Sequence, residues 1–214
     1  MAEGFVITIG RQFGSGGRAI GQALANRLEI PYYDKELLAE AAKDSGICQE
    51  LFENHDEKTS RSFLFSLVTG AQLRTDTGSM YMDMPLNHKI FLAQFDAIRR
   101  IASEGPCVIV GRCADYVLRD KKDVVSVFVK ADIKLRAERA VRVDSVDPMK
   151  AEDFVRKMDK QRASYYNYYA TSEWGDINNY DLVLDTGKLG IDGSVNVILD
   201  YLRSRREHPD VKEI

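Results

Sequence analysis

Short apolar strands alternate with segments of helical periodicity along most of this sequence. Residues 5–9 form a β-branched run, and Ile20, Leu24 and Leu28 follow it at the spacing of one helix face. A second short strand is predicted at residues 30–33. The order strand, loop, helix, strand indicates an α/β protein.

The alternation continues through the second half of the chain. Residues 107–110 and 124–129 are continuous apolar runs, which are typical of strands buried on both faces of a parallel sheet. Such alternation predicts right-handed βαβ units, helices on both faces of a mostly parallel sheet, and a ligand site at the carboxyl ends of its strands. The other predicted elements are a strand at 182–184 and helices at 35–43, 61–69, 87–103, 133–143, 151–170 and near 194–205.

Composition narrows the class of protein. The 214 residues fit one domain, and 44% hydrophobic with 29% charged residues is ordinary for a folded chain. A formal net charge of -3 gives no overall attraction to nucleic acid or anionic lipid. No apolar run approaches the roughly 18 residues of a membrane span, and the N-terminus lacks the pattern of a secretory signal. We therefore expect a cytoplasmic protein without nucleic-acid or membrane partners, and the sequence leaves a homo-oligomer open.

The glycine-rich segment GRQFGSGGR at residues 10–18 lies between the first strand and the first helix. Its glycines let backbone N–H groups converge on phosphate oxygens, and the next helix directs its partial positive end at the same anion. This context predicts a phosphate-binding loop, with a merely flexible turn as the alternative. The residues expected to hold a nucleotide are Gly10, Arg11, Gly14, Ser15, Gly16, Gly17 and Arg18.

This loop lacks two residues of the usual pattern G-x-x-x-x-G-K-[ST]. Gly17 occupies the lysine position and Arg18 the hydroxyl position. The lysine normally brings positive charge to the β- and γ-phosphates, and the hydroxyl ligates Mg²⁺. Arg18 is the first candidate to replace that charge and Arg11 is the second, while Ser15 is the nearest hydroxyl for the metal.

Separated segments of the chain resemble the cytidylate kinases, and more closely the cytidylate kinase-like branch of that family. The loop at residues 10–18 resembles the loops of this branch, and Gly111-Arg112 resembles a pair that helps to hold the acceptor nucleotide. Residues 158–162 (MDKQR) are similar to a lid segment with an acidic residue and a phosphate-facing arginine. Further similar segments are residues 31–36 (PYYDKE), 131–139 (ADIKLRAER) and 180–186 (YDLVLDT).

The resemblance implies a three-layer P-loop fold with a mostly parallel, five-stranded sheet and a helical lid. Residues 1–214 would form one P-loop kinase-like domain, in which the lid covers about 143–178 and an irregular helical segment about 48–86. ATP and Mg²⁺ are the implied cofactors. True cytidylate kinases carry DTGAMYR just after the second strand, where this chain has Asp34-Lys35-Glu36. The similar string at residues 76–81 (DTGSMY) is interpreted as a chance similarity.

Four arginines are the candidates for catalysis, namely Arg18, Arg112, Arg139 and Arg162. Arg112 follows a buried strand, so it is expected at the ligand edge, where a guanidinium can bond a phosphate twice. Arg139 and Arg162 match lid positions at which cations stabilise the transferring phosphoryl group. Most other arginines of these helices, Arg136 among them, are interpreted as a solvated face with surface salt bridges.

Three acidic residues belong to the same predicted region. Asp34 is expected either to bind substrate or to cap the helix predicted at 35–43. Asp159 is expected to bind substrate or to position an arginine. Asp115 is interpreted as a cap of the helix that follows the central strand, in preference to a Mg²⁺ ligand.

These observations favour ATP-dependent phosphoryl transfer to a small nucleotide, and CMP is the acceptor that the resemblance implies. Two alternatives stay open. The missing lysine and hydroxyl fit a regulatory protein that binds nucleotide with little or no turnover, and the departure at Asp34 fits a kinase of a non-nucleotide small molecule. The aromatic residues within 165–174 are expected to pack the core or a subunit contact rather than to stack on a base.

Overall fold

Strands and helices alternate through the computed structural model, which describes residues 5–34 and 86–208. The described strands are β1 (Val6–Arg11), β2 (Tyr32–Tyr33), β3 (Val108–Val110), β4 (Val124–Lys130) and β5 (Leu182–Asp185). The described helices are α1 (Gly17–Leu28), α2 (Leu86–Glu104), α3 (Ala114–Val117), α4 (Ile133–Asp144), α5 (Ala151–Tyr169) and α6 (Thr186–Glu207), with 3-10 turns at Pro148–Lys150 and Ile177–Asn179. The helices predicted at 35–43 and 61–69, and the string at 76–81, lie outside the described residues.

The five described strands form one parallel sheet in the order β2-β3-β1-β4-β5. Strand β1 lies between β3 and β4, so that Ile7 is level with Val108 on one side and Val125 on the other. The chain moves to one side of β1 for β2 and β3 and to the other side for β4 and β5. Such a reversal opens a crevice at the carboxyl end of β1, and the segment predicted to bind phosphate begins there.

Alternate side chains of the central strands fill two cores, one on each face of the sheet. Ile7 and Ile9 of β1 pack with buried side chains of α1 and α6. Val6 and Ile109 instead pack with side chains of α2 and α3 on the opposite face. The predicted α/β fold, a five-stranded parallel sheet between two layers of helices, is confirmed for the described residues.

The start of one helix differs from the sequence prediction in a way that affects the site. Helix α6 begins at Thr186, well before residue 194, because the Asp185 side chain accepts a hydrogen bond from Gly187 N at 3.0 Å and caps it. The backbone of Gly190 interrupts this helix with non-helical angles. Helices α4 and α5 lie in and next to the predicted lid. Within residues 5–34 and 86–208, no helix combines the length and the apolar character that are needed to cross a bilayer.

Candidate active site

The loop between β1 and α1 leaves the N-terminal amides of α1 open to a ligand. Gly16 is the N-cap of α1 with φ 88° and ψ 5°, and no side chain caps the first turn. Gly14 also has a positive φ, of 74°. These left-handed angles cost an L side chain about 1–2 kcal/mol, which explains glycine at both positions. Uncapped amides at the end of a 12-residue helix form the kind of place where a phosphate binds.

A carboxylate from α5 fastens the loop. The Oδ1 atom of Asp159 accepts a hydrogen bond from the backbone N–H of Phe13 at 2.6 Å. Its other oxygen, Oδ2, is bonded by Nη1 of Arg136, which also donates to Phe13 O at 3.3 Å. A further bond joins Arg136 Nε to Ala131 O at 3.0 Å. Both oxygens of Asp159 are therefore engaged with protein groups that hold the loop, while substrate binding by Asp159 stays a prediction.

The sequence-based prediction for Arg136 is wrong. This residue was assigned to the solvated face of α4, but it is only 7% exposed and lies beneath the loop. The available signal was its position on the alanine stripe of α4, because Ala140 follows Arg136 by one helical turn and is fully buried. Arg156 behaves as expected for the other basic residues, since it is largely exposed and pairs with Glu152 at 3.6 Å.

Arg18 extends from the first turn of α1 towards β2. Its Nε atom donates to Oδ2 of Asp34 at 2.7 Å, and the Arg18 side chain is 61% exposed whereas that of Asp34 is 4% exposed. Tyr32 OH also approaches Asp34 Oδ2, at 3.5 Å. The structure thus brings these two predicted site residues together as an ion pair at the carboxyl end of β2. The alternative role of Asp34 as a cap concerns a helix outside the described residues.

The turn after β3 has three successive residues in the left-handed region. These are Gly111, Arg112 and Cys113, with φ of 80°, 61° and 55°. Two of them carry side chains, and such strained backbone is concentrated at ligand sites. Arg112 lies at the ligand edge, as the sequence predicts, and is 7% exposed.

Three of the predicted cations share one small cavity beside this turn. It measures ≈ 20 Å³ and is lined by Arg11, Arg112 and Arg162 together with aromatic side chains. The Nη1 atom of Arg162 donates to Arg11 O at 3.2 Å, and its guanidinium lies 5.2 Å from the ring centre of Phe13. The end of β1, the turn after β3 and helix α5 therefore place three guanidinium groups next to the loop.

A second cleft lies on the other side of the loop, between α4 and the start of α6. It measures ≈ 270 Å³, and Arg139 lies in its wall together with Ser15 and Thr186. The guanidinium carbon of Arg139 is 3.6 Å from the position that a Cβ atom at Gly16 would take. Arg139 is thus near the N-terminus of α1, whereas Arg11, Arg112 and Arg162 lie on the opposite side.

Ser15 is buried within the loop, at 2% exposure. Its hydroxyl donates to Gln12 O at 2.8 Å, and its carbonyl accepts from Thr186 Oγ1 at 2.7 Å. The described residues include no group of three or more His, Cys, Asp or Glu side chains that could hold a metal ion. These residues do not fit a Mg²⁺ held mainly by protein side chains, so Ser15 as a metal ligand stays a prediction.

Asp115 lies within α3 and not at its cap, which is Cys113. Its Oδ2 atom accepts a hydrogen bond from Tyr166 OH at 2.7 Å, and Tyr166 in turn lies 3.2 Å from Ser172 Oγ. Burial raises the pKa of Asp115, and the bond from Tyr166 only partly opposes this shift. Asp115 is therefore not the N-cap residue of α3, but the predicted interaction with the start of the helix is met in part, because backbone N–H groups of Asp115 and Tyr116 also bond to its carboxylate.

We expect Asp115→Asn to flatten part of the dependence of stability on pH. A carboxyl whose pKa is raised by folding binds more protons in the folded than in the unfolded state, so the free energy of unfolding falls as pH rises above about 4. Asparagine keeps an acceptor for Tyr166 but does not titrate. Urea unfolding between pH 4 and 8 should show the variant gaining on the wild type as pH rises. Asp120→Asn, at a 73% exposed side chain, is the control, and parallel curves for Asp115→Asn would contradict the expectation.

The aromatic residues of α5 pack against α2 and α3. Tyr169 stacks on Phe91 with ring centres 3.8 Å apart, and Tyr165 donates to Gln94 Oε1 at 3.1 Å. Trp174 lies edge-on to Phe128 of β4, at 5.5 Å. These contacts agree with the predicted packing, whereas Tyr168 is 43% exposed, and Tyr165, Tyr166 and Trp174 also line the small cavity beside Arg112.

Comparison of sequences assigns this chain to a known family. The sequence model of the cytidylate kinase-like family matches residues 6–188, which include the loop, the turn after β3 and helices α4 and α5. The chain belongs to the cytidylate kinase-like family. Its sequence is 23% identical to cytidylate kinase of Methanopyrus kandleri over 94% of this chain and 96% of that protein.

Solved structures share the fold of this chain. The crystal structure of an uncharacterized protein from Eubacterium ventriosum covers 94% of this chain and 99% of its own, with a TM-score of 0.71 and 32% identity. Shikimate kinase from Bacteroides thetaiotaomicron shares the fold at a TM-score of 0.53 and 15% identity, over 93% of this chain and 98% of that one. Membership of the cytidylate kinase-like family, and not the shared fold alone, makes this chain a kinase-like phosphotransferase.

Proposed function

We propose that this protein transfers the γ-phosphoryl group of ATP to a nucleoside monophosphate, with CMP as the preferred acceptor. The observation that carries the proposal is the loop of residues 10–18, whose uncapped helix amides lie between two groups of arginines at the carboxyl end of the central strand. Membership of the cytidylate kinase-like family supports the choice of CMP, because the relative from Methanopyrus kandleri is named cytidylate kinase.

In the proposed reaction the donor lies along the loop. Backbone amides of residues 14–18 bind its phosphates, and the cleft beside Arg139 receives the rest of the nucleotide. Mg²⁺ would be held mainly by the donor polyphosphate and not by protein side chains, and it would supply further positive charge to that of the loop amides. Holding donor and acceptor in line is the main contribution that the protein makes to this kind of reaction.

The acceptor phosphate is proposed to face Arg112 and Arg162 in the arginine-lined cavity. Both guanidinium groups can form paired, charge-assisted hydrogen bonds to a phosphate, and the strained turn fixes the direction of Arg112. One oxygen of the acceptor phosphate bonds to the γ-phosphorus as the bond to the β,γ-bridging oxygen breaks. The departing ADP keeps that electron pair, so no covalent enzyme intermediate is needed.

A panel of acceptors tests the proposal. Purified protein is incubated with ATP, Mg²⁺ and each of the common nucleoside monophosphates, and ADP and the new diphosphate are quantified separately. CMP is expected to give the highest kcat/KM. Nucleotide binding by calorimetry without diphosphate formation on any acceptor would overturn the proposal and favour a regulatory nucleotide-binding protein.

A kinase of a small, anionic, non-nucleotide acceptor is the second candidate. The observation that favours it is the sequence after β2, where Asp34-Lys35-Glu36 stands in place of the DTGAMYR string of true cytidylate kinases and Asp34 is bonded to Arg18 at 2.7 Å. The same panel should include small hydroxy acids and sugar phosphates. Turnover of one of these with no turnover of any nucleoside monophosphate would decide for this candidate.

A further inference from the structure

The position that usually carries the phosphate-binding lysine has no space for a side chain in this loop. A Cβ atom at Gly17 would lie 2.7 Å from Cβ of Arg11 and 3.0 Å from its Cγ. Such distances are shorter than ordinary carbon contacts. The nearer atom is the first atom of the Arg11 side chain, which cannot move without its backbone. The stem of Arg11 therefore occupies the space next to Gly17.

The far end of the same arginine reaches the turn after β3. A Cβ atom at Gly111 would overlap Nη1 of Arg11, and it would lie 2.7 Å from the guanidinium carbon. Two glycines, one at the start of α1 and one in the strained turn, thus leave a slot that the Arg11 side chain fills. The slot runs beside the loop and into the cavity that Arg112 and Arg162 also line.

Two other candidates for this charge, Arg18 and Arg139, are oriented differently. Arg18, the direct neighbour of Gly17, is held by Asp34 at 2.7 Å and extends towards β2. Arg139 approaches from α4 on the side of the donor cleft. Arg11 starts at the end of β1 and lies between the first residue of α1 and the proposed acceptor cavity, where the transferred group would pass.

We propose that Arg11 carries the positive charge that a lysine at position 17 supplies in the usual loop, and that Gly17 is glycine because Arg11 crosses it. Position 11 thus carries the cation, and position 17 leaves the space for it. This inference rests on the proposed phosphoryl transfer. During transfer the guanidinium of Arg11 would stabilise negative charge on the γ-phosphoryl oxygens and on the departing β-phosphate, while Arg112 and Arg162 hold the acceptor.

The test moves the cation back to its usual place. Five proteins are compared with the wild type: Arg11→Ala, Arg11→Gly, Arg11→Lys, Gly17→Lys, and the double variant with Arg11→Gly and Gly17→Lys, in which no Cβ atom remains at position 11 to meet the one at position 17. Arg156→Ala is the matched control, because it removes an exposed arginine that pairs with Glu152. For each protein we would measure kcat, KM, thermal unfolding, and the calorimetric affinities for ATP and ADP with Mg²⁺.

Arg11→Ala is expected to lower kcat about 100-fold and to weaken ATP binding more than ADP binding, because the lost charge faces the γ-phosphate. Gly17→Lys alone should be less active than the wild type, since its side chain collides with Arg11. The double variant should regain at least about tenfold in kcat over Arg11→Gly. The kcat of Arg11→Lys should lie between those of Arg11→Ala and the wild type, because an ammonium keeps the charge but cannot reproduce the planar fork of the guanidinium.

Two results would overturn the assignment. One is a kcat for Arg11→Ala within about threefold of the wild type. The other is a double variant that unfolds like the wild type yet is no more active than Arg11→Gly, together with an equal loss of ATP and ADP affinity in Arg11→Ala. A wild type inactive on every acceptor would refute the proposed reaction instead, and the difference between ATP and ADP affinity would still decide the role of Arg11.

Discussion

Gly14→Ala is expected to lower kcat/KM about 100-fold while the protein remains folded. Gly14 has a φ of 74°, so the substitution costs about 1–2 kcal/mol in backbone strain. In addition, the new Cβ atom would lie 2.5 Å from the carbonyl oxygen of Arg136, a backbone atom that cannot rotate away. The loop must shift to relieve this contact, and displacement of reacting groups by about 1 Å costs about 100-fold in rate.

Steady-state kinetics with ATP and the preferred acceptor measures this loss, and circular dichroism checks the fold. Gly193→Ala is the matched control, because Gly193 lies inside α6 and its new Cβ atom would make an ordinary contact of 3.4 Å with Leu189 Cβ. That variant should keep its activity and gain up to about 1 kcal/mol in stability. Activity of Gly14→Ala within tenfold of the wild type would contradict the proposed position of the donor phosphates.

Asp159→Ala is expected to lower the free energy of unfolding by about 3 kcal/mol. The substitution leaves the guanidinium of Arg136 charged and buried without its carboxylate, and removing one partner of a buried ion pair typically costs 3–5 kcal/mol. It also removes the acceptor of the Phe13 N–H, so the loop loses its tie to α5 and KM for ATP should rise. Urea unfolding at pH 7 and steady-state kinetics measure the two effects.

A control and a double variant separate charge from architecture. Glu152→Ala removes an exposed carboxylate from the same helix and should cost less than about 1 kcal/mol. Arg136→Met combined with Asp159→Leu should recover much of the lost stability, because apolar residues of similar volume can replace a buried ion pair. It should not recover the low KM, since Phe13 N–H still lacks its acceptor. Full recovery of both would show that Asp159 acts on stability alone.

The sheet and the loop were predictable because each depends on a local pattern. Residues 107–110 are apolar throughout and residues 124–129 are apolar except for Ser126, as is typical of strands buried on two faces, and these runs form β3 and β4. The loop was predictable from glycines placed between a strand and a helix. Helix α6 was placed too late, because the glycines near its start lower helix propensity and its cap, Asp185, belongs to the preceding strand.

The roles of the arginines were not predictable from spacing alone. Burial of Arg136 depends on Asp159, which lies 23 residues further along the chain on a different helix. The direction of Arg18 depends on Asp34, and the path of Arg11 depends on Gly111 in a distant turn. A single sequence gives the number of cations near the phosphates, but tertiary contacts decide which side of the phosphates each cation faces.

Helix α5 carries two groups that act on different parts of the site. Asp159 fastens the loop through Phe13 N–H, and Arg162, less than one helical turn later, donates to the carbonyl of Arg11. Any rotation or sliding of α5 moves both groups together. A foreign α5 that is introduced to change the acceptor would therefore also change the binding of ATP. An exchange of specificity must transfer the loop and the helix as one unit.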